Sequence, residues 1–106
     1  MIPIKTIKEL IIKHSNLESE LSSSNLDKKL FAEKSKEYSD LNEIIKNAKK
    51  YLSFENEKRE LEKLLDDNST DDELKKMATL ELDELKSEHA TNEKNLKLFL
   101  LPKDEA

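Results

Sequence analysis

The chain has 106 residues, with 19 Lys or Arg against 24 Asp or Glu for a net charge of −5, and 35% hydrophobic but only 5% aromatic residues. Cysteine and glycine are absent, which excludes a disulfide framework, a thiolate zinc site, a thiol nucleophile and the glycine loops that cradle phosphates or dinucleotides. Asn-Gly hairpin turns are missing too, which argues against a compact β domain, and the acidic balance argues against a general nucleic-acid binder.

The first predicted element is a helix over residues 3–21. Pro3 suits a first helical turn, where its missing N–H costs nothing. Ile4, Ile7, Leu10, Ile11, His14, Leu17 and Leu21 recur in steps of three and four, the helical period. Ser22-Ser23-Ser24-Asn25 reads as a loop, with Ser24 or Asn25 as cap of the next helix.

A long helix is predicted over residues 26–66, about 60 Å at 1.5 Å per residue. Its apolar stripe runs through Phe31, Tyr38, Leu41, Ile45, Ala48 and Leu52, then moves round to Tyr51, Phe54, Leu61 and Leu65. Residues 55–60 are entirely polar, so the helix there either bends or has a thin interface. Asp67-Asn68-Ser69 breaks it. Thr70 with Glu73 three positions on matches a capping box, and Asp71 and Asp72 place negative charge at the positive end of a helix dipole.

The last predicted helix covers residues 71–100, with Leu74, Ala78, Leu82, Leu85, His89, Asn92, Leu96 and Phe99 in steps of three and four. Pro102 ends it and pushes Leu101 toward extended geometry.

A short break between two long helices implies an antiparallel hairpin. A turn near Asn68–Ser69 sets Leu74 against Leu64 and Leu65, Ala78 against Leu61, Leu85 against Leu52 and Phe54, Leu96 against Leu41, and Phe99 against Tyr38. The first helix should lie along Phe31, Tyr38, Leu41 and Ile44. The expected fold is all-α: an elongated antiparallel helical hairpin whose short N-terminal helix makes a three-helix bundle at one end. Residues 1–106 are expected to form a single helical domain of modest stability, since an elongated shape buries less surface than a compact one.

Chemistry is sparse. His14 and His89 are the only histidines, and neither has metal-ligand spacing on a helix, so packing roles are expected for both. The carboxylates read as a solvated face, with Asp72–Lys76, Glu55–Arg59 and Glu93–Lys97 at helix-supporting spacing. A thin hairpin offers no shielded cleft in which paired carboxylates shift their proton affinities for acid–base work. No catalytic activity, cofactor or metal is expected. No apolar run approaches the roughly 20 residues of a membrane span, and Met1-Ile2-Pro3-Ile4-Lys5 lacks the features of a signal peptide. The expectation is a soluble, cytoplasmic chain without a membrane partner. Pattern alone leaves three classes open: a partner-binding helical module, a self-associating coiled coil, and a structural spacer.

Two stretches go further. Lys34-Ser35-Lys36-Glu37-Tyr38-Ser39-Asp40-Leu41 resembles the Leu-Ser-Lys-Glu-Tyr-Xaa-Xaa-Leu segment of bacterial class I peptide chain release factors, with Lys34 where leucine is usual. Leu98-Phe99-Leu100-Leu101-Pro102-Lys103-Asp104 resembles the Leu-Leu-Leu-Leu-Pro-Lys-Asp signature that closes their N-terminal domain, and favours the type 1 branch, which reads UAA and UAG. The resemblance runs from about His14 onward. It implies that the chain is a fragment of a longer factor, with the codon-reading loop and the Gly-Gly-Gln loop of peptidyl-tRNA hydrolysis further on. It also implies contact with the stalk base of the large ribosomal subunit, through rRNA and ribosomal protein, and support of the recycling release-factor GTPase.

The basic residues that project from the bundle on the distal hairpin, Lys58, Arg59, Lys63, Lys75 and Lys76, are the candidate ribosome contacts. The plain alternative is that they pair with Glu55, Glu60, Asp72 and their neighbours. A monomer is expected, because the two long helices cover each other's stripes. The competing reading is a self-associating coiled-coil module unrelated to the ribosome.

Overall fold

The computed structural model describes residues 1–23 and 25–102. The described residues form three helices, α1 (Ile4–Leu21), α2 (Lys28–Asp66) and α3 (Asp72–Leu100), and contain no strand. The helix interiors hold neither of the chain's two prolines, so nothing in the sequence interrupts their backbone ladders. Pro3 is the N-cap of α1, and its carbonyl accepts from Thr6 N–H and Ile7 N–H at 3.0 and 3.3 Å. Leu101 is extended at ψ 139°, as a residue before proline must be.

Both inner caps differ from expectation. Asp27 caps α2, its carboxylate accepting from Leu30 N–H at 2.8 Å; the loop therefore extends past exposed Asn25, and Ser24 lies outside the described residues. Asp71, not Thr70, caps α3, accepting from Leu74 N–H at 2.7 Å. An aspartate at the cap both binds the free N–H and places its charge on the helix dipole, so it outcompetes a threonine one position earlier. Asp67 holds the turn by accepting from Ser69 N–H at 2.9 Å and Ser69 Oγ–H at 2.7 Å.

α1 and α3 each pack on α2. The core lies at the end where all three helices meet: Ile2 and Ile7, Ile44, Ala48 and Tyr51 of α2, and Leu96, with Leu10, Ile11, Leu52 and Phe99 around them. Ile7 and Leu96 are fully buried, each worth about 1.5–3 kcal/mol relative to exposure. Beyond Phe54 the hairpin buries only Ala78 and Leu82 before Leu96. α2 continues unbroken through residues 55–60, which are exposed apart from half-buried Lys58, so the polar stretch is a thin interface. The molecule measures 61 × 34 × 20 Å. Its radius of gyration is 18.6 Å, against about 13 Å for a compact chain of this size.

Several expected positions are corrected. Ile4 and Phe31 are 46% and 47% exposed; each stands at the outer edge of its stripe, where the neighbouring helix does not reach. Tyr38 turns toward α1 and stacks on His14 with ring centroids 4.7 Å apart, while Phe99 shares a groove with Leu41 and Leu10. Leu96 joins Ile44 and Ala48 instead of Leu41. Axial position alone does not decide such pairs, because α2 has neighbours on two sides and rotation about its axis assigns each side chain to one of them. Glu93–Lys97 forms at 3.2 Å, but Asp72–Lys76 and Glu55–Arg59 are not within 4.0 Å. Water competes strongly for exposed pairs of that kind.

Candidate functional site

The distal hairpin combines the last third of α2, the turn at residues 67–71 and the first turns of α3. Lys58, Arg59 and Lys63 come from α2, Lys75 and Lys76 from α3. Arg59, Lys63 and Lys76 are exposed, and Lys58 and Lys75 half-buried. None of the five is within 4.0 Å of a carboxylate among the described residues. The expected alternative of internal pairing therefore does not consume these charges. At the apex, Asp66, Asp67, Asp71 and Asp72 are exposed. The Ser69 hydrogen bonds hold the Asp67 carboxyl below its ordinary range, with a smaller contribution from the Lys75 charge. The tip thus presents an acidic apex with basic residues along both legs. Leu64, Leu74 and Met77 are exposed between them.

Both histidines pack against aromatic rings. His14 is buried, stacked on Tyr38, with Nε2 2.8 Å from Asn42 Oδ1. A carbonyl acceptor at that distance assigns the proton to Nε2. His89 stacks on Phe54 at 3.7 Å and on Tyr51 at 4.7 Å between ring centroids. Its Nδ1 is buried without a hydrogen-bond partner among the described residues. Among the described residues, no group of three or more His, Asp or Glu side chains is placed to hold a metal ion, and no helix is long and apolar enough to cross a membrane.

Sequence reasoning missed the polar ties of the bundle end. The Tyr51 hydroxyl accepts from Ile2 N–H at 3.1 Å and donates to the Glu93 carboxylate at 3.2 Å. Asn47 Nδ2–H donates to Asn92 Oδ1 at 3.1 Å. Tyr51 reads in sequence as one more apolar position of a stripe, and an asparagine beside a stripe reads as solvent-facing. The one available signal was Asn92, which falls on the apolar face of α3.

Residues 10–106 match the family model described as the PCRF domain. The chain is 67% identical to peptide chain release factor 1 of Pelagibacter ubique over all of its 106 residues, which is 30% of that protein. It is 37% identical to peptide chain release factor 1 of Helicobacter hepaticus, over 95% of this chain and 28% of that protein. It is 32% identical to the protein of the same name from Lachnoclostridium phytofermentans, over 92% of this chain and 28% of that protein. The chain thus spans less than a third of the length of these curated relatives. No solved structure matches it. The family match over most of the chain and the whole-length identity agree with the two sequence signatures, and the chain belongs to the PCRF-domain family of peptide chain release factors, on its type 1 branch.

Proposed function

We propose that the chain is the non-catalytic, ribosome-contacting helical domain of a cytoplasmic translation termination factor that reads UAA and UAG. Residues 1–106 act as one helical unit of that factor, and the rest of its chain reads the stop codon and promotes peptidyl-tRNA hydrolysis. The observation that carries this reading is the identity of 67% to a peptide chain release factor 1 over the whole of this chain and 30% of that protein. The packing of both histidines supports placing hydrolysis elsewhere in the factor.

In this reading the hairpin tip meets the stalk base of the large subunit. Lys58, Arg59, Lys63, Lys75 and Lys76 approach rRNA phosphates, where each contact gains by counterion release. The acidic apex faces a basic ribosomal protein, and the docked domain supports the recycling GTPase. The unit works as a monomer and needs no cofactor.

The test uses the full-length factor on stop-programmed ribosomes. Deleting residues 1–100 should leave peptide release at a saturating concentration largely intact, weaken binding, and impair the GTPase response. Changing Arg59, Lys63 and Lys75 together to alanine should reproduce part of the binding loss. It should also flatten the slope of log affinity against log salt by about 2–3, at close to 0.9 per lost phosphate contact. Binding and GTPase response unaltered by the deletion would remove the proposed role. Loss of the hydrolytic step itself at saturation would contradict the division of labour.

A further inference from the structure

Charge is unevenly distributed along the chain. Residues 1–54 hold ten lysines against eight carboxylates, whereas residues 55–106 hold nine basic residues against sixteen. Within the first half the carboxylates leave two gaps: there is none before Glu9 and none between Glu43 and Glu55. The fold lays these two acid-free stretches side by side. Ile2 N–H bonds the Tyr51 hydroxyl, and Ile7 shares a buried cluster with Ile44, Ala48 and Tyr51.

The paired stretches expose Lys5 and Lys8 on α1 and Lys46, Lys49 and Lys50 on α2. Lys50 leans toward α3, where Glu88 meets it at 3.7 Å. The other four have no carboxylate within 4.0 Å among the described residues. Two acidic side chains of α3, Glu88 and Glu93, are already engaged. Glu88 is on Lys50, and Glu93 accepts the hydrogen bond of the Tyr51 hydroxyl and faces Lys97 at 3.2 Å and the amino terminus at 4.0 Å. The start of α1 adds to the positive potential: its N-cap makes no side-chain bond and its first turn carries no acidic residue, so its dipole end, about half an elementary charge, is uncompensated.

Lysines three apart on a helix have Cβ atoms about 5–6 Å apart, and packed helices lie about 8–10 Å apart. Four ammonium groups on that grid can follow a run of closely spaced negative charges. A nucleic-acid backbone is the partner that rewards this arrangement, because its condensed counterions are released on contact. Isolated protein carboxylates carry no such atmosphere, and an exposed pair with one contributes little. Lysine also suits phosphate as a point charge, without the planar geometry a bidentate carboxylate contact favours in arginine. We infer that Lys5 and Lys8 of α1, beside Lys46 and Lys49 of α2, form a second RNA-binding face that takes backbone phosphates. It lies roughly 20 Å along α2 from Lys63 at 1.5 Å per residue. The source of that RNA, the ribosome, rests on the function proposed above; the face itself does not.

The experiment uses the full-length factor in two variants, K5A/K8A and K46A/K49A, and their combination. Binding is measured on stop-programmed ribosomes and on protein-free large-subunit rRNA, between about 50 and 200 mM salt. Each pair should flatten the slope of log affinity against log salt by about 1–2, and the four together by about 3. The loss should appear on ribosomes and on bare rRNA alike, with unchanged melting temperature because all four side chains are exposed. A lysine-to-arginine version of all four should retain the slope. Slopes unchanged on both targets overturn the inference. So does a loss on ribosomes with unchanged binding to bare rRNA, which assigns the face to an acidic protein. The Arg59/Lys63/Lys75 variant run in parallel separates the two ideas: bare-rRNA binding that responds to the basal lysines while ribosome binding ignores both sets leaves this face standing and removes the proposed docking.

Discussion

Tyr51 ties three segments together through one hydroxyl, accepting from the Ile2 backbone and donating to Glu93 while its ring stacks on His89. Burial pushes its hydroxyl pKa up, the Ile2 bond opposes this, and Glu93 adds to it. Glu93 in turn is held below its ordinary value, chiefly by the hydrogen bond from Lys97. A carboxyl depressed in the folded state stabilises it above the unfolded pKa, near 4.3 for glutamate, and that contribution is lost as pH falls through the folded value. Urea midpoints measured from pH 6 to pH 3 should therefore fall more steeply for the native sequence than for Glu93→Gln. Parallel curves would show that Glu93 takes no part in the acid response. The caps give a second residue-level expectation. Asp71→Ala should cost about 1 kcal/mol through the lost bond to Leu74 N–H, whereas Thr70→Ala should stay within about 0.5 kcal/mol. Equal effects in urea melts would return the cap to Thr70. Aspartates next to serine and threonine offer several plausible caps in sequence, and only the backbone angles of the turn select one.

The helices themselves were legible, because steps of three and four, Pro3 and Pro102 and the polar breaks all mark the same boundaries to within two residues. The neighbours of each helix were less so. α2 serves two partners, and a sequence stripe records that a residue is apolar without recording which neighbour it faces. Tyr38 and Phe99 show the consequence, one on His14 and the other beside Leu10 and Leu41. Packing energy should follow the observed arrangement. Leu96→Ala removes a fully buried side chain held by α2 and should cost about 2–5 kcal/mol. Leu61→Ala, half-buried in the two-helix stretch, should cost clearly less, because its surroundings can close over the gap. Urea melts in which Leu61→Ala is the more damaging would invert this picture of where stability resides.

At the scale of the molecule, two short signatures identified the family where composition could not, while four of the nine proposed RNA contacts were hidden. The distal lysines lie near a turn visible in the sequence. Lys5 and Lys8 are about forty residues from Lys46 and Lys49, and only the fold brings them together. Every long helix has a partner within the chain, so sedimentation at tens of micromolar should return the mass of one chain, and the melting temperature should not depend on concentration; a dimer with a concentration-dependent melt would favour the coiled-coil reading. The thin stretch at residues 55–60 gives the molecule a mechanical character. α2 is a beam of 39 residues, clamped at one end between two helices and braced by a single helix beyond Phe54. As a cantilever, it would carry a load at the apex back along one continuous backbone ladder, with bending concentrated just past the clamp and displacement greatest at the tip. Amide exchange should reflect this, with protection falling from residues 44–54 to residues 58–66 of the same helix, so that the tip yields to whatever shape it meets while the base keeps its own.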